Sequence, residues 1–322
     1  MTQAPFSKTT RRTLFWLTLL LSSPSWAAGS KLNVVASFSI LADMAREVGG
    51  PDVQITSLVG ADGDAHVFEP TPQHARILQQ AAVVVSNGLG FEGWMQRLKK
   101  SSGFKGIEVV ASQGVEVRNF EPSGHDQGDK GSQAPSHSHA NPNAHSKQQD
   151  PHAWQSAANA VIYARNMADG FATADPANAA AYRTRALAYA DRLKSLDTTI
   201  RQAFAALPPE RRVLVTTHDA FGYFAQAYGL RILPARGIST ESEPSASDIA
   251  RLIDQVRKQR IRAVFIENIS DPRLIEQLAR ETGAVVGGRL YSDALSASDG
   301  PASTYFRLME VNTQTLLKAL QP

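Results

Sequence analysis

The stretch that decides the fold is Asp175–Leu207, DPANAAAYRTRALAYADRLKSLDTTIRQAFAAL. Asp175 is a helix-capping residue type, and Pro176 suits the first helical position, where its missing N–H breaks no bond. Tyr189, Leu193, Leu196, Ile200 and Leu207 recur at steps of three, four or seven, the spacing of one helix face. Pro208-Pro209 ends the run. Some 32 residues of helix would reach roughly 48 Å at 1.5 Å per residue. That is long for one small domain and predicts a strut between two lobes.

On both sides of the strut, short apolar runs alternate with helical periodicity. Leu32–Ser37, Val53–Val59, Val83–Ser86 and Ile107–Ala111 read as strands before it; Val213–Thr217, Ala263–Glu267 and Gly283–Gly287 read as strands after it. Helices are expected through Ile40, Met44 and Val48, from Pro72 to about Ala82, through Ile249, Leu252, Ile253 and Val256, over Leu274–Thr282, and through Tyr305, Leu308, Met309, Asn312 and Leu316. This alternation predicts an α/β fold in which each lobe has a parallel sheet flanked by helices. The expected layout is an N-terminal lobe over 28–174, a linker helix over 175–207 and a C-terminal lobe over 208–322. Residues 118–149 break the pattern. They have one aromatic residue, Phe120, almost no aliphatic ones, and abundant Gly, Ser, Gln, Asn, Pro and His, the composition of a disordered insertion.

Residues 1–27 have the organisation of a secretory signal peptide: Lys8, Arg11 and Arg12, then the apolar run Leu14–Leu21, then small residues at Ser25 and Ala27. Thr10–Phe15 also resembles a twin-arginine signal, although paired arginines occur in ordinary ones. Cleavage near Ala27 would remove three basic residues and no acidic ones, taking the formal charge from +3 to zero. No electrostatic case for nucleic-acid binding then remains. The chain has no cysteine, so it has neither a disulfide nor the residue a lipid anchor needs. A soluble, monomeric, periplasmic protein without a membrane anchor is the expectation.

The candidate chemistry lies in the histidines. Of eight, His125, His137, His139 and His145 fall in the polar insertion. His66 (GDAHVFEP), His152 (DPHAW) and His218 (TTHDAFGYFA) sit in segments suited to presenting a side chain, and Asp293 (LYSDALS) adds a carboxylate. His66, His218 and Asp293 follow expected strands, and ligands in open parallel sheets collect at strand carboxyl ends. His152 follows the insertion and opens a new helical segment, so its loop is expected to be anchored on one side only. Three imidazoles and a carboxylate suit zinc or a neighbouring divalent ion. Taken singly, each has a plain alternative: His66 and His152 as surface loop residues, His218 as a core histidine, Asp293 as a turn or cap. His74 reads as a surface residue and Trp94 and Trp154 as packing residues. Glu69, Glu241 and Glu243 read as caps or solvated groups, with supporting or lobe-contact roles open. HExxH and GxSxG are absent, which counts against a secreted zinc hydrolase, the alternative from another class.

Taken together, DAHVFEPTPQ, VVSNGLGFEGW, DPHAW, TTHDAFGYFAQAYGL, GISTESEPSASDIA, VFIENISDP and GRLYSDALSASDGPASTYF resemble the zinc- and manganese-type substrate-binding proteins of bacterial ABC metal importers. The resemblance covers nearly all of the chain after the signal. It implies two α/β lobes joined by one rigid helix, with metal between them on His66, His152, His218 and Asp293. It also implies an ABC permease as partner and no enzymatic activity. In such proteins a histidine at the position of His218 goes mostly with zinc and a glutamate with manganese or iron. Zn2+ is therefore the expected cargo, with Mn2+ or iron the alternative. Zinc-type members often carry a His-rich acidic loop. The insertion here has mixed charge and few histidines, and His125, His137, His139 and His145 are expected to hold metal weakly as an accessory. A rigid strut would resist wide hinge opening, so release should require the permease to disturb one lobe.

Overall fold

The computed structural model describes residues 1–2, 31–119 and 148–321. Residues 3–27 of the expected signal peptide, and His125, His137, His139 and His145, lie outside the described residues. In the first lobe, β1 (Leu32–Phe38), α1 (Ser39–Gly49), β2 (Val53–Val59), α2 (Pro72–Gln79), β3 (Val83–Ser86), α3 (Met95–Ser102) and β4 (Ile107–Val110) alternate, followed by α4 (Ala157–Ala174) and α5 (Ala179–Ala205). The second lobe runs β5 (Val213–Thr216), α6 (Gly222–Tyr228), β6 (Arg231–Pro234), α7 (Ala246–Lys258), β7 (Ala263–Glu267), α8 (Arg273–Thr282), β8 (Val285–Leu290) and α9 (Tyr305–Leu320). All strand pairs are parallel, in the orders β2-β1-β3-β4 and β6-β5-β7-β8. Each sheet thus reverses its winding direction between its two central strands, β1/β3 and β5/β7. A crevice opens there at the carboxyl ends.

The strut is shorter than its periodicity predicts. A 3-10 turn over Pro176–Asn178 precedes the 27 residues of α5, whose length is about 40 Å. Asp175 does not cap the backbone with its side chain. Its Oδ2 accepts from Asn178 Nδ2 at 2.8 Å and Tyr182 Oη at 2.7 Å, and the chain enters through the tighter turn. Nor does α5 stand free. Arg185 donates to Val48 O, Gly49 O and Asp52 of the first lobe. Arg192 bonds Glu47 of α1 at 2.8 Å and lies 4.3 Å from the Phe306 ring of α9. Phe204 packs on Phe224 and Tyr228 of α6.

One apolar core runs from the first sheet through α4 and α5 to α6 and α9, and a smaller one (Val215, Leu233, Leu252, Val256, Ile275, Leu278) serves the second sheet with α7 and α8. Tyr305 of α9 donates its N–H to Asp43 of α1 at 2.8 Å and its hydroxyl to Trp154 O at 2.6 Å. The lobes therefore share buried contacts besides the strut. Among the described residues no helix is long and apolar enough to cross a membrane.

Helix α3 and strand β6 are not among the expected elements, whereas α4 is the helical segment expected to open after His152. α4 buries Ala157, Ala160, Ala164 and Ala168, small side chains that let two helices approach, alongside Tyr163, Met167 and Phe171 at helical spacing. β6 has four residues and ends in proline, too short for periodicity to register. The last strand lies later than expected. Gly283 is the left-handed cap of α8 (φ 75°), and Gly287 lies inside β8 because a Cβ there would come 2.6 Å from the Phe265 ring.

Burial pushes the Asp43 carboxyl up to about 6 against the lowering effect of the Tyr305 N–H bond. The native state therefore holds more protons than the unfolded chain between about pH 4 and 6, and stability falls as pH rises through that window. Asp43→Asn keeps an acceptor and carries no charge. It should add about 1–3 kcal/mol at pH 7.5 and leave stability near pH 4 unchanged, as read by urea unfolding.

Candidate metal centre

Each proposed ligand sits on a segment held from behind. His66 lies in the loop between β2 and α2, where Trp94 Nε1 donates to Ala65 O at 2.8 Å and the His66 N–H donates to Asp64 Oδ1 at 2.9 Å. His152 follows Asp150-Pro151. Asn87 Nδ2 donates to Pro151 O at 2.8 Å, while Asp150 Oδ1 accepts the backbone N–H and Nδ1 of His152 at 3.0 and 2.9 Å. His218 lies two residues past β5. Its N–H donates to Glu267 Oε1 at 2.9 Å, and its Nδ1 is 2.6 Å from Glu267 Oε2. Asp293 lies three residues past β8, and Trp154 Nε1 and Gln155 Nε2 both donate to the preceding carbonyl, Ser292 O.

These segments bring the four side chains together, with their donor atoms within 4.8 Å of one another. His66 Nε2 is 3.2 Å from His152 Nε2 and 3.2 Å from Asp293 Oδ2, and His218 Nε2 is 3.2 Å from the same oxygen. Four N and O donors around a tetrahedral zinc-sized ion stand roughly 3.3 Å apart, so the spacing fits such an ion. The side chains of His152, His218 and Asp293 are 0% exposed, and that of His66 is 6% exposed.

The electrostatics call for a cation. Asp150, Glu267 and Asp293 are all buried, and only Asp150 has a guanidinium partner, Arg118, at 2.9 Å. Glu267 and Asp293 have no such partner and face the imidazoles, a setting that favours a cation at the centre. Burial alone would lower the pKa of His218, but Glu267 and Asp293 on either side hold it well above the ordinary histidine value. Burial alone would raise that of Asp293, but His218 and His152 pull it well below the usual carboxylate range. With each Nδ1 facing a carboxylate, the Nε2 lone pairs of His152 and His218 are the ones turned inward.

The single-sided anchoring expected for the His152 loop is not what the structure shows. Asn119 and Gln149 form an antiparallel bridge, Asp150 N–H donates to Arg118 O at 2.9 Å, and Arg118 N–H donates to Tyr223 Oη of the second lobe at 2.8 Å. Both ends of the insertion are thus pinned at a stem beside the site. Gly222 lines that stem because a Cβ would come 2.2 Å from Arg118 Nη1.

The carboxylates behind the imidazoles are Asp150 and Glu267, not Glu69, Glu241 or Glu243; Glu243 pairs instead with Arg236 at 2.6 Å. Asp150 reads locally as a turn residue and Glu267 as the end of a strand. The available signal for Glu267 was a lone charge closing the apolar run AVFIE. His74 caps α2, its Nδ1 accepting the Thr71 N–H at 2.9 Å. Trp94 and Trp154 are buried, and their indole N–H groups also hold the site loops.

Over residues 34–319 the chain matches the family described as zinc-uptake complex component A, periplasmic (ZnuA). It belongs to that family, the periplasmic metal-binding substrate-binding proteins of ABC metal importers, which are transport proteins rather than enzymes. It is 32% identical over 297 residues to the iron-binding protein YfeA of Yersinia pestis, covering 92% of this chain and 88% of that one. It is 31% identical over 300 residues to the manganese-binding lipoprotein MntA of Bacillus subtilis, covering 92% of each. The periplasmic zinc-binding protein TroA from Treponema pallidum superposes with a TM-score of 0.80 at 28% identity, over 91% of this chain and all of that one.

Glu267 and Asp293 hold His218 well above the ordinary histidine value, so an ion taking its Nε2 should compete with a proton there. Affinity should rise with pH, about tenfold per unit while His218 titrates. Adding zinc to metal-free protein in weak buffer at pH 6.5 should release about one proton per ion, read by a pH indicator.

Proposed function

We propose that the protein is a periplasmic carrier that captures one divalent metal ion, zinc foremost, on His66, His152, His218 and Asp293 and delivers it to an ABC permease. The observation that carries this is the set of 3.2 Å separations among His66, His152, His218 and Asp293. Imidazole and carboxylate atoms that close, without room for another group between them, suit an ion at the centre. Three nitrogens and one oxygen favour zinc, since manganese prefers more oxygen donors. Four protein donors complete a tetrahedron and leave no position for a reacting water, unlike a hydrolase site.

In this reading, residues 1–27 direct export and are removed. Lobes 28–174 and 208–322 then hold the ion on either side of the 175–207 linker. The absence of cysteine leaves the mature chain without a lipid attachment point. His125, His137, His139 and His145 would raise the local zinc concentration by weak binding.

Manganese or iron is the second candidate, and one atom favours it. Asp293 Oδ1 is buried, lacks a hydrogen bond and lies 3.7 Å from His152 Nε2. A second oxygen donor there would give a five-coordinate site closer to what manganese prefers. The similarity to proteins named for iron and manganese agrees with it.

Competition between zinc and manganese for stripped protein, with stoichiometry by elemental analysis, decides between them. One tight zinc per chain that excess manganese does not displace is expected. His218→Ala should weaken it by more than the roughly 100-fold that losing a ligand's hydrogen-bond partner costs. Manganese retained against zinc would reverse the assignment, and no tight ion would end both.

A further inference from the structure

We propose that Thr240 is a positioning residue that latches the His66 loop shut and sets the rate at which the bound ion exchanges, resting on the four-residue site proposed above. His66 is the one ligand candidate whose side chain reaches solvent, at 6% against 0% for the other three. Ala61, Asp62, Val67 and Glu69 around it are exposed. The His66 loop is therefore the wall between the centre and water, and an ion leaves most directly by displacing it.

The loop belongs to the first lobe but is tied to the second. Asp62 N–H donates to Leu295 O at 2.8 Å, Asn268 Nδ2 donates to Asp62 Oδ1 at 2.9 Å, and Thr240 Oγ1 donates to Asp64 Oδ2 at 2.6 Å. The last of these reaches the ligand itself. The other oxygen of the same carboxylate, Asp64 Oδ1, accepts the backbone N–H of His66 at 2.9 Å. Thr240 thus fixes the orientation of the carboxylate that fixes His66. The Thr240–Asp64 pair is partly buried, whereas Asn268 and Asp62 meet at the exposed surface. A hydroxyl-to-carboxylate bond shielded from water is the stronger tie.

The latch also suits a protein whose lobes share a core and a strut. A bond of 2.6 Å is lost once its atoms part by about 1 Å, so a small shift of one lobe frees the loop without a wide hinge motion. In transit the bond holds the ion; against a permease that displaces the second lobe, it lets go.

The test is the zinc dissociation rate, followed by stopped-flow with a chromogenic chelator in excess, on wild type, Thr240→Val and Thr240→Ser. Valine keeps the shape and loses the donor. The expected result is dissociation about tenfold faster, with one zinc per chain still bound. Serine keeps the hydroxyl and should restore the wild-type rate, which a purely steric role for Thr240 would not predict. The latch alone is overturned if Thr240→Val binds zinc stoichiometrically and releases it at the wild-type rate. A wild-type protein that holds no zinc overturns the metal site and the latch with it.

Discussion

Glu267, His218 and Asp293 form a buried row in which one imidazole lies between two carboxylates, 2.6 Å from the first and 3.2 Å from the second. Removing two carboxylates from water is costly, and the row persists only if positive charge sits among them. A proton on His218, whose affinity for it the two carboxylates raise, would supply part of that charge, and a divalent ion would supply more. The remaining features of the centre follow from this demand. His66 and His152 bring further lone pairs, Asp150 orients His152, and Arg118 neutralises Asp150 so that its charge is not added to the excess.

The frame keeps these groups in register. Row members come from the loop after β5, the end of β7 and the loop after β8, and the sheet order β6-β5-β7-β8 sets Glu267 beside His218. The first lobe contributes His66 and His152, so the centre exists only while the lobes stay together. α5, the shared core and the Tyr305 bonds to Asp43 and Trp154 hold them so. Such a frame favours discrimination by donor type and spacing over capture by large closure. It leaves exchange to the His66 loop, which is tied to the second lobe by polar hydrogen bonds.

The two-lobe fold could be read from the period of Asp175–Leu207 and from strand–helix alternation, because both are local patterns of apolar residues. His66, His218 and Asp293 stood out as histidine and aspartate placed after expected strands, and the resemblance of whole segments joined them to His152. Helix α4 could be read as a segment opening after His152, whereas β6 was hidden because four residues ending in proline are too few for a period to register. Asp150 and Glu267 were hidden because a turn and a strand end explain them locally.

By itself the sequence determined the elements, their alternation and the donor types on offer, since each depends on neighbours within a few residues. Tertiary structure alone decided which carboxylate stands behind which imidazole, that the insertion is pinned at both ends, and that Thr240 reaches Asp64. Those contacts join residues 49, 30 and 176 positions apart. Their distances depend on strand order and lobe packing, which no local period encodes.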